Sequence, residues 1–152
     1  MRSLTAIRYF CHVTPQPGHA WGDLGFDYFS AIKSADLPIR VLAAMGVADV
    51  GDESSRWHEN AACFATELPT VYANVICADN GELVRLFTVG VRNVAITTAV
   101  RLPTKKEIRV LSDYDAILTP SQDDAAALKQ LGLIATHVAP EPNTLRSVFQ
   151  TP

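Results

Sequence analysis

Residues 93–143 decide the fold; they read NVAITTAVRLPTKKEIRVLSDYDAILTPSQDDAAALKQLGLIATHVAPEPN. Short apolar runs alternate here with longer stretches of helical spacing, which predicts three strands and two helices. These elements are predicted at residues 94–97, 104–111, 116–119, 122–131 and 136–138. Thr104 and Glu107 have the spacing of a capping box, Ser121 is a natural N-cap, and Gly132 is a typical helix stop. The segment therefore predicts a run of parallel βα units.

The rest of the chain continues the same alternation. Further strands are predicted at residues 4–13, 39–45 and 71–78, and helices from residue 26 onward, at 55–66 and at 82–89. A Pro/Gly-rich loop is predicted at residues 14–25, between the first strand and the first helix. The pattern predicts an α/β fold: a single Rossmann-like, doubly wound, mostly parallel sheet of about six strands with helices on both faces. Residues 1–152 are expected to form one domain.

Composition and charge exclude several classes of function. The net charge is −3, and the basic residues are scattered, whereas a nucleic-acid-binding protein usually carries a basic face. No window reaches the 18 apolar residues of a membrane span, and the N-terminus lacks the long apolar core of a signal peptide. The three cysteines, Cys11, Cys63 and Cys77, form no CxxC pair. We therefore expect a cytoplasmic protein with reduced thiols, no metal site, no cofactor and no nucleic-acid partner.

A glycine-rich loop, GHAWGDLG at residues 18–25, follows the first strand at the edge where α/β folds bind ligands. Its candidate site residues are Gly18, His19, Trp21, Gly22 and Asp23. The glycines let backbone N–H groups approach a sugar or phosphate, and the following helix adds its positive end. The histidine or the aspartate is a candidate catalytic base or sugar ligand, and the tryptophan could stack on a sugar ring. The alternative is a loop that needs glycine for its turns, with Trp21 covering the core.

Two other strand ends carry candidate residues. Thr97 and Thr98 close the strand at 94–97 and are candidates for binding a ligand hydroxyl. The alternative is that their hydroxyls bond the backbone where the strand terminates. His12 ends the first strand, as either a site residue or a hydrogen-bonded strand-end residue.

Several pieces of the C-terminal half appear in the order and spacing of a known family. They are VAIT at 94–97, Leu102-Pro103, YDAILTPS at 114–121, the helix end at 128–132 and HVAP at 137–140. In this respect the chain resembles the last part of the N-terminal lobe of two-lobed (GT-B) glycosyltransferases. The resemblance implies a ligand site at the carboxyl edge of the sheet, with the glycine-rich loop facing donor and acceptor. It also implies a second, nucleotide-sugar-binding lobe after the proline hinge.

The chain departs from the family pattern in three respects. The acidic residue that often follows the Thr-ended strand is absent, since residues 98–101 read TAVR, and Glu141 stands where a glycine is usual. The sequence given ends at Pro152, so we expect the second lobe to be absent. We therefore expect a single lobe that binds a sugar, nucleotide-sugar or similar small ligand and is not active alone, its half-cleft covered by a homodimer partner or another protein. The alternative is a non-catalytic interaction or regulatory module on a degenerate glycosyltransferase fold.

Overall fold

A computed structural model describes residues 6–12, 20–35, 37, 40–46 and 73–150 of the chain. Within them lie six strands and five helices. The strands are β1 (Ala6–Cys11), β2 (Arg40–Gly46), β3 (Ala73–Cys77), β4 (Arg92–Ile96), β5 (Ala116–Thr119) and β6 (Ala135–His137). The helices are α1 (Ala20–Lys33), α2 (Asn80–Leu86), α3 (Lys105–Leu111), α4 (Gln122–Gln130) and α5 (Pro142–Gln150). The helix predicted at 55–66 lies outside the described residues.

All six strands belong to one sheet, in the order β2-β1-β3-β4-β5-β6. Every neighbouring pair is parallel. From β1 the chain moves outward to β2, then returns to the other side of β1 and proceeds stepwise to β6. The direction of winding therefore reverses between β1 and β3, and such a switch point leaves a crevice at the carboxyl ends of its strands. The predicted doubly wound α/β fold is confirmed.

Alternate residues along the strands fill the two faces of the sheet. On one face α1 and α5 cover Ile7, Tyr9, Cys11, Val75, Cys77, Val94, Ile96 and Leu118. On the other, α2, α3 and α4 cover Ile76, Ala95, Ile117 and Ala135. Helices on both faces explain why β3 is buried along its whole length, as is usual for parallel strands.

Helix α1 begins at Ala20, so the predicted loop at 14–25 is wrong over its last six residues. The glycines there suggested turns, but Gly25 serves close packing. A Cβ built on Gly25 would lie 2.1 Å from the Cys11 Sγ of β1. Its carbonyl also accepts a hydrogen bond of 2.8 Å from the buried Tyr9 hydroxyl. Gly25 therefore lets α1 lie directly on the sheet.

Helix ends follow the expected capping chemistry. Thr104 and Glu107 form the predicted capping box of α3, and the Ser121 hydroxyl caps α4 by accepting from the Asp124 amide. Gly132, with φ +87°, follows the end of α4 in the left-handed conformation that glycine adopts readily.

The C-terminal residues form α5, a helix that was not predicted from the sequence. Pro142 occupies the first position of the helix. A proline is tolerated there because the backbone N–H that it lacks would have no partner within the helix. Leu145 and Phe149 are buried in the core beside α1. Arg146 Nε donates to the carbonyl of Ala35 over 2.6 Å. The described tail thus packs along one face of the sheet and anchors α1.

A buried polar network occupies the amino edge of β3 and β4. The Asn74 amide accepts from Arg8 Nε over 3.2 Å and donates to Asn93 Oδ1 over 3.5 Å. Asn93 accepts from the Thr88 amide and donates to the carbonyls of Thr88 and Val91. Both asparagines are almost fully buried, and both ends of each amide are bonded. The network fastens the turn before β4 to the sheet.

Candidate functional site at the carboxyl edge

A pocket of about 410 Å³ lies between the start of α1 and the segments that follow β3 and β4. Its lining consists of Ala20, Trp21, Leu24, Asp79, Asn80, Thr98, Val100 and Arg101. The volume lies within the range of small-molecule sites, and a mostly apolar wall with a few polar groups is typical of them. The pocket occupies the switch point between β1 and β3, the place where α/β sheets bind ligands.

The apolar walls come from two elements. Trp21 and Leu24, three residues apart on α1, present one face of that helix. Val100 contributes from the loop after β4 and is 92% exposed. The Trp21 ring also contacts the ring of His12, with centroids 5.4 Å apart. An indole supported in this way can serve as a platform for a flat ring.

Asn80 is the buried polar group of the pocket. The residue is 1% exposed, and its Nδ2 donates to the Arg101 carbonyl over 2.6 Å. Its Oδ1 has no hydrogen-bond partner among the described residues. An unpaired buried acceptor costs about 1–3 kcal/mol, so a ligand donor that reached Oδ1 would recover much of that free energy.

Asp79 precedes Asn80 and is the N-cap of α2. One carboxylate oxygen accepts from the Glu82 amide over 3.0 Å. The other lies 4.0 Å from His12 Nδ1, which is too long for a hydrogen bond. His12 Nδ1 is buried and has no partner within the described ranges. The second carboxylate oxygen therefore keeps acceptor capacity, and Asp79 lines the pocket.

Arg101 is the cation of the pocket wall, and Glu107 holds it. The guanidinium donates twice to the Glu107 carboxylate, over 2.8 and 3.2 Å. These bonds raise the pKa of Arg101, and, together with the Thr104 backbone amide, they lower the pKa of Glu107. The loop between β4 and α3 is tied down further, because the Ala99 amide donates to Asp124 Oδ1 over 2.9 Å.

A pair of thiols lies at the carboxyl ends of β1 and β3. Cys11 and Cys77 are register partners on β1 and β3, and both thiols are buried. Cys11 Sγ donates to the Trp21 carbonyl over 3.4 Å. Burial, followed by the contact with Cys11, raises the pKa of the Cys77 thiol. A buried thiol of raised pKa is a poor nucleophile, so Cys77 is a poor candidate for a catalytic group.

The structure brings some of the predicted site residues together. Trp21 and Thr98 both line the pocket. Thr97 is buried behind Thr98, Gly22 is buried inside α1, and Asp23 is exposed in the first turn of α1. Gly18 and His19 lie outside the described residues. The functional role of each of these residues stays a prediction.

Three polar lining residues were not among the predicted site residues: Asp79, Asn80 and Arg101. Asp79 and Asn80 follow the end of β3 after Ala78, and Asp79 forms the N-cap of α2. These residues could have been predicted only from their position, because they follow β3, a strand that borders the switch point. That position is known only once the strand order is known, and the strand order depends on pairings between segments that are distant in sequence.

Comparisons of the chain with protein-family models, with curated proteins and with solved structures found no match. No three His, Cys, Asp or Glu side chains of the described ranges come together as a metal site would require. Each helix in the described part of the chain is too short or too polar to cross a lipid bilayer.

Proposed function

We propose that the chain binds a small hydroxyl-bearing ligand, of the sugar or nucleotide-sugar class, in the carboxyl-edge pocket and does not catalyse sugar transfer alone. The observation that carries this proposal is the unpaired Oδ1 of Asn80 in a pocket with an indole wall. Sugars combine hydroxyl donors with an apolar ring face, and these two features match Asn80 and Trp21. The resemblance to the N-terminal lobe of GT-B glycosyltransferases is consistent with this class of ligand.

The charges of the pocket support the non-catalytic part of the proposal. Sugar transfer from a nucleotide requires positive charge near the leaving diphosphate. Among the described lining residues the only cation is Arg101, and two hydrogen bonds commit it to Glu107. Catalysis would therefore need positively charged groups beyond the described lining residues of the pocket.

Binding can be followed through the fluorescence of Trp21, in a Trp57→Phe background that leaves one indole. Titration with UDP-, GDP- and ADP-sugars and with free sugars should give saturable quenching for at least one compound. Trp21→Leu should abolish heat of binding by calorimetry, whereas Phe26→Ala should not, because Phe26 is a partly exposed aromatic of α1 that does not line the pocket. The absence of any binding, with the protein shown to be folded, would remove the proposal.

A second candidate function is that of an interaction module. Two exposed apolar side chains, Val100 at 92% and Leu102 at 52%, stand on the loop beside the pocket. Apolar groups at a rim favour cover by another chain, either a second copy or a different protein. Light scattering tests the homodimer: Val100→Lys should dissociate it, and Val89→Lys is the matched control, since Val89 is 87% exposed in the turn before β4. A wild-type monomer at high concentration would contradict the homodimer.

A further inference from the structure

The orientation of the Asn80 amide determines what it can recognise. A backbone carbonyl only accepts hydrogen bonds, so the group that faces the Arg101 carbonyl over 2.6 Å must be the Nδ2 amide nitrogen. The amide oxygen consequently points away from that carbonyl, and it has no partner among the described residues. The nitrogen is already engaged, so Oδ1 is the atom of the amide that is left to accept a hydrogen bond from a ligand. Oδ1 is itself buried, so a ligand donor reaches it only when the side chains around it move. A hydroxyl or amino group satisfies this oxygen, whereas a phosphate oxygen repels it.

The charges around Asn80 are predominantly negative. A Cβ built on the next residue, Gly81, would lie 3.5 Å from Asp79 Oδ1, 3.7 Å from an Arg101 guanidinium nitrogen and 3.9 Å from Glu107 Oε2. Two carboxylates and one guanidinium thus meet at this point. The positive end of α1 opposes them from across the pocket, and Asp23 lies in that first turn. An anionic ligand would meet a carboxylate that the guanidinium only partly neutralises.

We propose that the pocket selects an uncharged ring that carries a hydroxyl or amino donor. Asn80 is the specificity-determining acceptor, Asp79 rejects phosphate, and Trp21 receives the face of the ring. This inference rests on the proposed function and narrows it, because the neutral part of a sugar or nucleoside enters the pocket and any phosphate stays outside.

Matched pairs of probes test the charge preference. Adenosine against AMP, uridine against UMP, and methyl glucoside against glucose 1-phosphate each differ by a phosphate. In calorimetric titrations at low ionic strength, where exposed charges are least screened, the neutral member of a binding pair should bind at least about tenfold more tightly. Equal or tighter binding of the phosphorylated member overturns the inference and leaves the proposed function standing. Binding of no probe overturns the proposed function and the inference with it.

Asp79→Asn tests the rejection of phosphate. Asparagine caps a helix about as well as aspartate, so this variant should fold. We expect the affinity for the phosphorylated member to rise by about fivefold and that for the neutral member to change by less than about twofold. Asp113→Asn is the matched control, since it removes one carboxylate from an exposed position after α3. An equal gain in both variants would show that overall charge, and not Asp79, sets the preference.

Asn80→Ala tests the acceptor. It should weaken the neutral probe by about tenfold, the effect of one well-made hydrogen bond. Deoxy analogues of the same probe provide a test that does not depend on the stability of the variant. Removing the hydroxyl that meets Asn80 should weaken binding to the wild type by a similar factor and have no further effect in Asn80→Ala. The proposed role of Asn80 is overturned if Asn80→Ala binds the parent probe as tightly as the wild type does. It is also overturned if the wild type binds every deoxy analogue as tightly as the parent probe.

Discussion

Asparagines are buried at both edges of the sheet, and their surroundings differ. At the amino edge, Asn74 and Asn93 have both ends of their amides bonded within the fold. At the carboxyl edge, Asn80 bonds through its nitrogen and leaves its oxygen unpaired beside a pocket. A buried asparagine whose amide oxygen and nitrogen are both hydrogen-bonded within the fold contributes to stability. One whose oxygen has no partner is a candidate for binding a ligand. Burial of a polar residue therefore does not indicate function until its partners are counted.

The largest expected effect is at the amino edge. Asn93→Ala removes the acceptor of the Thr88 amide and the partner of Asn74 together. We expect a loss of about 2–4 kcal/mol in the free energy of unfolding, because several buried groups lose their partners at once. Urea denaturation followed by circular dichroism measures it. A loss below about 1 kcal/mol would mean that the network is not structural, and the comparison of the two edges would fail.

The second effect concerns the helix that forms one wall of the pocket. Gly25→Ala places a methyl group on the Cys11 sulfur, and we expect a loss of about 2–3 kcal/mol from overpacking. Cys11→Ala should relieve the collision, so the double variant should be more stable than Gly25→Ala alone. If the double variant is no more stable than Gly25→Ala, the loss of stability does not arise from the contact with Cys11.

At the carboxyl edge the same kind of substitution should cost less. Asn80→Ala removes one hydrogen bond to the Arg101 carbonyl and also removes the unpaired oxygen. The two effects oppose each other, and we expect a loss of less than about 1 kcal/mol. The free energies of unfolding of Asn80→Ala and Asn93→Ala should be measured under the same conditions. The difference between them is the sharpest test of the comparison between the two edges. Equal losses would show that Asn80 is as structural as Asn93.

The smallest expected effect is a dependence on pH at the pocket wall. Hydrogen bonds from Arg101 lower the folded-state pKa of Glu107 below its ordinary value of 4.5. The stabilisation is therefore present above the unfolded-state pKa and is lost as the pH falls through the folded-state pKa. Glu107→Gln should cost less than about 1 kcal/mol near neutral pH, since the pair is partly exposed. Denaturation curves should show this difference shrinking towards about pH 3. A difference that persists in acid would assign the cost to packing.

Most of the fold was predictable from local sequence signals. Apolar runs bounded by turn residues located the strands, and the capping box at Thr104 and the cap at Ser121 located two helices. The two errors have physical causes. Gly25 suggested a turn because glycine is common in turns. Its close contact with Cys11 forms only in the folded protein and cannot be recognised in the sequence. Helix α5 was not predicted, although Pro142 occupies its first position, where a proline is well tolerated.

The candidate site was predictable only in part. Trp21 and Thr98 were found from their places beside strand ends, and both line the pocket. Asn80 was not predicted as a site residue. Its proposed role as an acceptor depends on the hydrogen bond that its amide nitrogen donates to the carbonyl of Arg101. Such a contact is set by the folded path of the loop, and no residue pattern of the chain encodes it directly.

The strand order has a consequence for how the chain folds. Strands β3 to β6 each pair with their nearest neighbours in sequence, so this half can assemble by closing short loops. Strand β1 must instead find β3 across a long intervening stretch, with Ile7 opposite Ala73. Long-range pairings of this kind form slowly. We therefore expect insertion of the first strand to be the late, rate-limiting event, and with it the assembly of the crevice, so that a newly made chain acquires its binding surface last.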